Sequence, residues 1–166
     1  MHVSLTHQIS IATLINFGAH ASAFALLRPQ IDSHLRGLWL LGIATEDEIE
    51  NVKQGGDPPG SRKLAELLEE KGGFDPDTVD RIAKGVWPAV CDFTHTGIRV
   101  ISAHLRGESI DPAFSDEEVV DVLQVSNVWA SLAGIALFDL GGRPDLSEEL
   151  GKRGVEIAQA TGGVAP

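Results

Sequence analysis

Over residues 119–140 the apolar side chains recur at spacings of three and four, so that Val122, Val125, Trp129, Leu132, Ala136 and Leu140 fall on one stripe of a helix. A strand would need alternation with a period of two, and few runs in this chain combine that period with β-branched residues between turns. The fold class is therefore all-α. Ile135, Leu137 and Phe138 spread apolar surface onto the other faces of the same segment, which predicts a central, largely buried helix.

Local start and stop signals divide the remainder. Thr45 with Glu48 and Ser115 with Glu118 have the capping-box spacing, and Asp75 followed by Pro76 supplies a cap and a first-turn proline. Gly18 separates a helix over 4–16 from a second one running to residue 44, and the Gly/Pro cluster of 55–60 divides amphipathic segments at 45–54 and 61–71. Further helices are predicted over 75–84, 86–106, 116–140 and 145–160, with 161–166 a frayed tail. A chain of 166 residues suits one domain, here a single-domain up-and-down bundle.

The formal net charge of −11 disfavours nonspecific nucleic-acid binding, which depends on basic patches that displace counterions, although Arg28, Arg36, Arg99 and Arg106 could still gather into one. Most of the acidity is explained locally. Residues 46–48, 116–118 and 148–149, together with Asp77 and Asp80, lie near helix starts, where carboxylates favour the positive end of the helix dipole. A single cysteine, Cys91, excludes an internal disulfide and a thiolate-rich zinc site and makes a reduced, cytoplasmic setting the expectation. The first eight residues carry no Lys or Arg to form the basic region of a signal peptide. The longest apolar stretch, 128–138, is interrupted by Ser131 and Gly134 and is too short to cross a bilayer, so no membrane contact is expected.

Chemistry-bearing residues concentrate in two places. On the second helix Arg28 lies inside the arc of Phe24, Leu27, Ile31, Leu35, Leu38, Trp39 and Gly42, with Asp32 at its edge; a buried arginine needs a partner, and a spacing of four suits an ion pair. On a continuous helix over 86–106, Trp87, Val90, Ile98, Ile101 and Leu105 form the apolar arc, with Thr94 and Cys91 packed among them. His95 falls on the boundary of that arc, with Asp92 and Arg99 just outside it. If the two helices pack together, Arg28, Asp32, His95 and Arg99 form one inter-helix cluster, at which Asp92 and Arg36 are further candidate binding residues. Such a cluster can lock helix register, bind a small anion or a partner's carboxylate, or catalyse.

Trp39, Trp87 and Trp129 read as core, and His2, His7 and His20 as surface. No metal or other cofactor is expected. Asp92 and His95 share one face at i, i+3, but carboxylate-bridged metal sites in bundles need a pair of such motifs plus further glutamates, and no HExxH or CxxC is present.

The segment Phe24-Ala25-Leu26-Leu27-Arg28-Pro29-Gln30-Ile31-Asp32, continuing to Arg36-Gly37-Leu38-Trp39, together with the downstream Thr94-His95-Thr96-Gly97, resembles an uncharacterised bacterial all-helical family carrying Leu-Arg-Pro, Arg-Gly-x-Trp and Thr-His-Thr-Gly elements. The likeness spans about 23–126 and carries over to Arg28, Asp32, Arg36, His95, Thr96 and Gly97. More distantly the chain is similar to HEPN helical ribonucleases of toxin and antiviral systems, in which an arginine and a histidine separated by four to six intervening residues are paired across a homodimer to act on RNA. Arg28 to His34 has five residues between, and Arg99 to His104 has four. Pro29 stands where that pattern has a polar residue, and on a continuous helix His34 projects about 120° from Arg28.

Two functions follow as expectations. One is a binding or regulatory module that takes a small anion or a protein partner at the Arg28 cluster. The other is a HEPN-like ribonuclease, with His34 or His95 as general acid or base and Arg28 stabilising charge on the phosphorane. Only the second brings RNA as a partner. A homodimer is expected from the frequency of two-fold assemblies.

Overall fold

The computed structural model describes residues 1–72, 85–106 and 112–160. Along these the chain forms α1 (His2–Asn16), α2 (His20–Ala25), α3 (Leu27–Gly42), α4 (Glu46–Lys53), α5 (Ser61–Glu70), α6 (Trp87–Thr94), α7 (Ile98–Arg106), α8 (Asp116–Leu140) and α9 (Pro144–Ala160), with no strand among the described residues. Both capping boxes form. The Thr45 and Ser115 hydroxyls accept from the Glu48 and Glu118 amides, and each glutamate reaches back to the cap residue's own N–H at 2.8 Å.

Helix α3 is the element most enclosed by others, packing against α1, α2, α5, α6 and α8. It runs antiparallel to α1, whose Met1 lies so close to Gly37 that a Cβ there would sit 2.9 Å from the Met1 nitrogen. Helix α9 folds back along α8, where the missing side chain of Gly134 makes room for Leu150. The apolar core gathers Ile11, Phe24, Ile31, Leu35, Trp39, Leu64, Val90 and Trp129. At its far end Phe24 meets Phe93 at 5.0 Å and Phe114 at 4.5 Å between ring centroids, which clamps α2 to α6.

Several sequence expectations need correction. The second helix is not continuous to residue 44 but breaks at Leu26. Pro29 has no N–H for the Ala25 carbonyl and sits in the first turn of α3, and at the break the Leu26 N–H bonds back three residues to Ala23 at 3.1 Å. The Thr94 hydroxyl, held mainly by Val90 at 2.7 Å, also approaches the carbonyl that Pro29 leaves over, at 3.4 Å.

The helix over 86–106 likewise divides, into α6 and α7, around His95, Thr96 and Gly97, and Thr96 adopts φ +52. The break resets the angular phase. Helix α7 buries Val100 and Ala103 and turns Ile98 and Leu105, 69% and 81% exposed, outward with Ile101. Helix α8 is not central. Its buried line is Val122, Ser126, Trp129 and Ala133, while Val128, Leu132 and Leu140 face out. With a mean hydropathy of 1.4 over 18 residues, it is also the one described helix long and apolar enough to cross a bilayer, which the shorter 128–138 stretch concealed; here α1, α3 and α9 pack against it. The helix expected over 75–84 and the tail 161–166 lie outside the described residues.

Candidate functional site

Trp87 and Cys91 of α6 and His95, which caps its C-terminus, are spaced by four and form one ridge toward the first turns of α3. Arg28 meets all three. Its Nη1 donates to Cys91 Sγ at 3.1 Å and lies 3.2 Å from His95 Nε2, and its guanidinium carbon is 5.5 Å from the centroid of the Trp87 ring. Because a guanidinium only donates, His95 Nε2 accepts in this contact, which leaves the ring proton on Nδ1.

On its own helix Arg28 Nε pairs with Asp32 Oδ2 at 3.7 Å, and the other Asp32 oxygen accepts from the Ser61 hydroxyl at 2.5 Å. The arginine side chain, 29% exposed, is thus held from α3 and α6 directly and from α5 through Asp32, and its Nη2 has no partner among the described residues.

The chain reversal after His95 explains the neighbouring polar residues. Gly97 N donates to the Asp92 carbonyl at 2.7 Å, and the Asp92 carboxylate accepts from Ile98 N at 3.1 Å and Arg99 N at 2.6 Å. Asp92 therefore caps the start of α7, where a carboxylate also suits the helix dipole. A side chain on Gly97 would run into that carboxylate.

Arg28 and Trp87 form one side of an open cleft of about 460 Å³, and Gly60, Ser61, Arg62, Lys63 and Glu66 at the start of α5 form the other. Among the described residues Glu66 is the one carboxylate lining it, shared between Arg62 at 3.4 Å and Lys63 at 3.6 Å. No side chain caps α5, since Gly60 precedes it. A cleft with three cations and one carboxylate among its described lining residues stands out on a chain of net charge −11.

Arg28, Asp32 and His95 are thus brought together, joined by Cys91. Arg99 is exposed on the next helix, and Arg36 is exposed two turns along α3. His34, a candidate acid or base, faces the opposite way. It is 1% exposed, edge-on to Trp129 at 5.4 Å, with its pKa lowered to about 4 by burial and, secondarily, by the positive charge of the N-terminus. Arg28 and His34 do not converge. Trp87, expected in the core, is only partly buried and lines the cleft.

Sequence reasoning missed Ser61, Arg62 and Lys63. The available signal was the 55–60 loop delivering an uncapped, basic helix start, but its position against α3 is a tertiary contact. Among the described residues no three His, Cys, Asp or Glu side chains group so as to hold a metal.

No curated protein and no solved structure matches the chain. A family model described as a family of unknown function, DUF6988, matches residues 1–161, and the chain belongs to that family.

Proposed function

We propose that this protein is a binding module whose site is the Arg28 cleft and whose ligand is a small anion, a carboxylate or phosphate presented by a metabolite or by a partner protein. The observation that carries this reading is Arg28 itself, fixed on three sides by Cys91, His95 and Asp32 beside Trp87, with Nη2 unpartnered among the described residues and Arg62 and Lys63 across the cleft. A preorganised guanidinium presents paired N–H donors to a carboxylate or phosphate without a large ordering cost. The setting proposed is the bacterial cytoplasm.

The ribonuclease reading has less support. A histidine as enclosed as His34 cannot reach an RNA phosphodiester, so beside the cleft this reading falls, among the described residues, to Arg28 with His95.

Calorimetric titration of the full chain with inorganic phosphate and with acetate tests the proposal. Saturable binding of either ion that weakens at least about tenfold in Arg28→Gln, a loss of about 1.4 kcal/mol, is the expected result. Absence of saturation with both ions, or equal affinity in a folded Arg28→Gln, overturns it. Cleavage of RNA by the wild type that is lost in His95→Ala would favour the ribonuclease instead.

A further inference from the structure

Helices α1, α3 and α8 meet along a seam that is polar where a core is ordinarily apolar. Ser4 on α1, Gln30 and His34 on α3, and Ser126 on α8 are each no more than 1% exposed. Their order along the seam follows from the contacts they make. Gln30 Nε2 donates to the Ser126 carbonyl at 2.8 Å, and one turn further on His34 meets Trp129, so α3 and α8 run in the same direction.

Helix α1 approaches the same rungs from the other side. Met1 abuts Gly37 and the two helices are antiparallel, so Ser4, one turn in from Met1, comes level with His34, one turn before Gly37. A further turn along α1, Gln8 Nε2 donates to Asn127 Oδ1 at 3.1 Å, which keeps the register.

Within this seam Ser4 Oγ, Gln30 Oε1, His34 Nδ1 and Ser126 Oγ have no partner among the described residues. A buried donor or acceptor left so is destabilising, and several together would take up much of the margin by which a domain is stable. Folded proteins satisfy such groups with ordered water where no protein atom reaches. The unpartnered Nε1 of Trp39 is a separate case, since Trp39 lies about 140° around α3 from His34.

We propose that the α1–α3–α8 seam binds ordered internal water, held by Gln30 Oε1, His34 Nδ1 and the hydroxyls of Ser4 and Ser126. The donor and acceptor types match that ligand. Gln30 Oε1 takes a hydrogen from water, either hydroxyl donates or accepts, and the imidazole nitrogen adapts through its tautomer. The seam has no carboxylate, lysine or arginine among these residues, so a charged ligand would lack a counterion there; water does not need one. His34 is the titratable side chain in it, with the Met1 ammonium the nearby charge.

The test is a crystal structure of the full chain at a resolution that shows ordered solvent, with water-to-protein NMR cross-peaks measured in solution. The expected result is a solvent peak within hydrogen-bond distance of His34 Nδ1 and of at least one of the two serine hydroxyls, with a matching cross-peak from water to the His34 ring. Ser126→Ala and Ser4→Ala, each checked for a native amide spectrum, serve as alternatives should one fail to fold, and the folded variant shows a weaker cross-peak. A dry seam, with these atoms bonded to one another or facing only apolar groups, overturns the proposal, as does a cross-peak unchanged in both variants.

Discussion

Mild acid should destabilise this protein through one residue. His34 is enclosed by α1, α3 and α8, and burial, with the N-terminal charge second, lowers its pKa from 6.5 to about 4. In the unfolded chain the same imidazole takes up a proton near pH 6.5, so between 6.5 and about 4 the unfolded state binds a proton that the folded state refuses. The stability tied to a neutral His34 is therefore complete above pH 6.5 and is lost as pH falls toward 4. At about 1.4 kcal/mol per pH unit the loss reaches about 3 kcal/mol, a large part of a typical folding free energy.

Urea denaturation followed by far-ultraviolet circular dichroism at pH 7, 6, 5 and 4.5, on the wild type and on His34→Gln, isolates this effect. Carboxylates begin to take up protons at the acid end of that range, and Glu118 is held differently in the folded chain. Burial pushes its pKa up, but the Ser115 N–H and Arg106 outweigh burial and hold it below its ordinary value. Such groups affect both proteins alike, so the difference between the two curves belongs to His34. Wild type should lead by about 1–2 kcal/mol at pH 7, the cost of disturbing a buried polar contact, and should lose that lead on acidification. Parallel stability curves for the two proteins would refute the reasoning, because they would mean that His34 titrates alike in the folded and unfolded chains.

Other perturbations address the turn and the caps. Asp92→Ala removes the acceptor for both the Ile98 and Arg99 amides and should cost about 1–2 kcal/mol in thermal or urea unfolding. Thr96→Gly relieves a side chain held at φ +52 and should raise stability by about 1 kcal/mol, seen as a higher midpoint in the same assay. Ser115→Ala breaks the capping box of α8 and should lower stability by about 1 kcal/mol without changing helix content.

What could be read from the residues was what depends on near neighbours. The two capping boxes were legible because a spacing of three suffices to define them, and Arg28 with Asp32 because a spacing of four does. The Thr94-His95-Thr96-Gly97 run was noticed for its polarity, but Thr96 takes the left-handed conformation just past the end of α6 and Gly97 leaves room for the Asp92 carboxylate, and that second meaning decided the structure. Once the helix breaks, angles measured across it have no value. Arg99 and the apolar residues Ile98, Ile101 and Leu105, assigned to the phase of Trp87 and Val90, belong to another helix with its own orientation. The contact of Ser61 with Asp32 depends on how a loop closes over 29 residues of chain, which no local pattern encodes.

The buried face of α3 shows a different limit. Periodicity assigns its inward arc by apolarity, which selects Leu38 and Gly42 and passes over Gln30 and His34; in the fold Gln30 and His34 are buried, Leu38 is only partly so and Gly42 is exposed. That assignment presumes that a polar residue has a solvent side to turn toward. The first half of α3 offers little of one, since α5 and α6 cover the side of Arg28 and Asp32 while α1 and α8 cover the side of Gln30 and His34. Only beyond Leu35 does the helix open, where Arg36, Leu40 and Leu41 reach the surface. On an enclosed helix polarity marks a polar contact rather than exposure, because each such group must be paired where it lies. Arg28 and Asp32 meet that requirement with Cys91, His95 and Ser61, and Gln30 meets half of it with the Ser126 carbonyl. Both polar clusters therefore come from one cause, a central helix whose first two turns are more polar than a core position ordinarily allows.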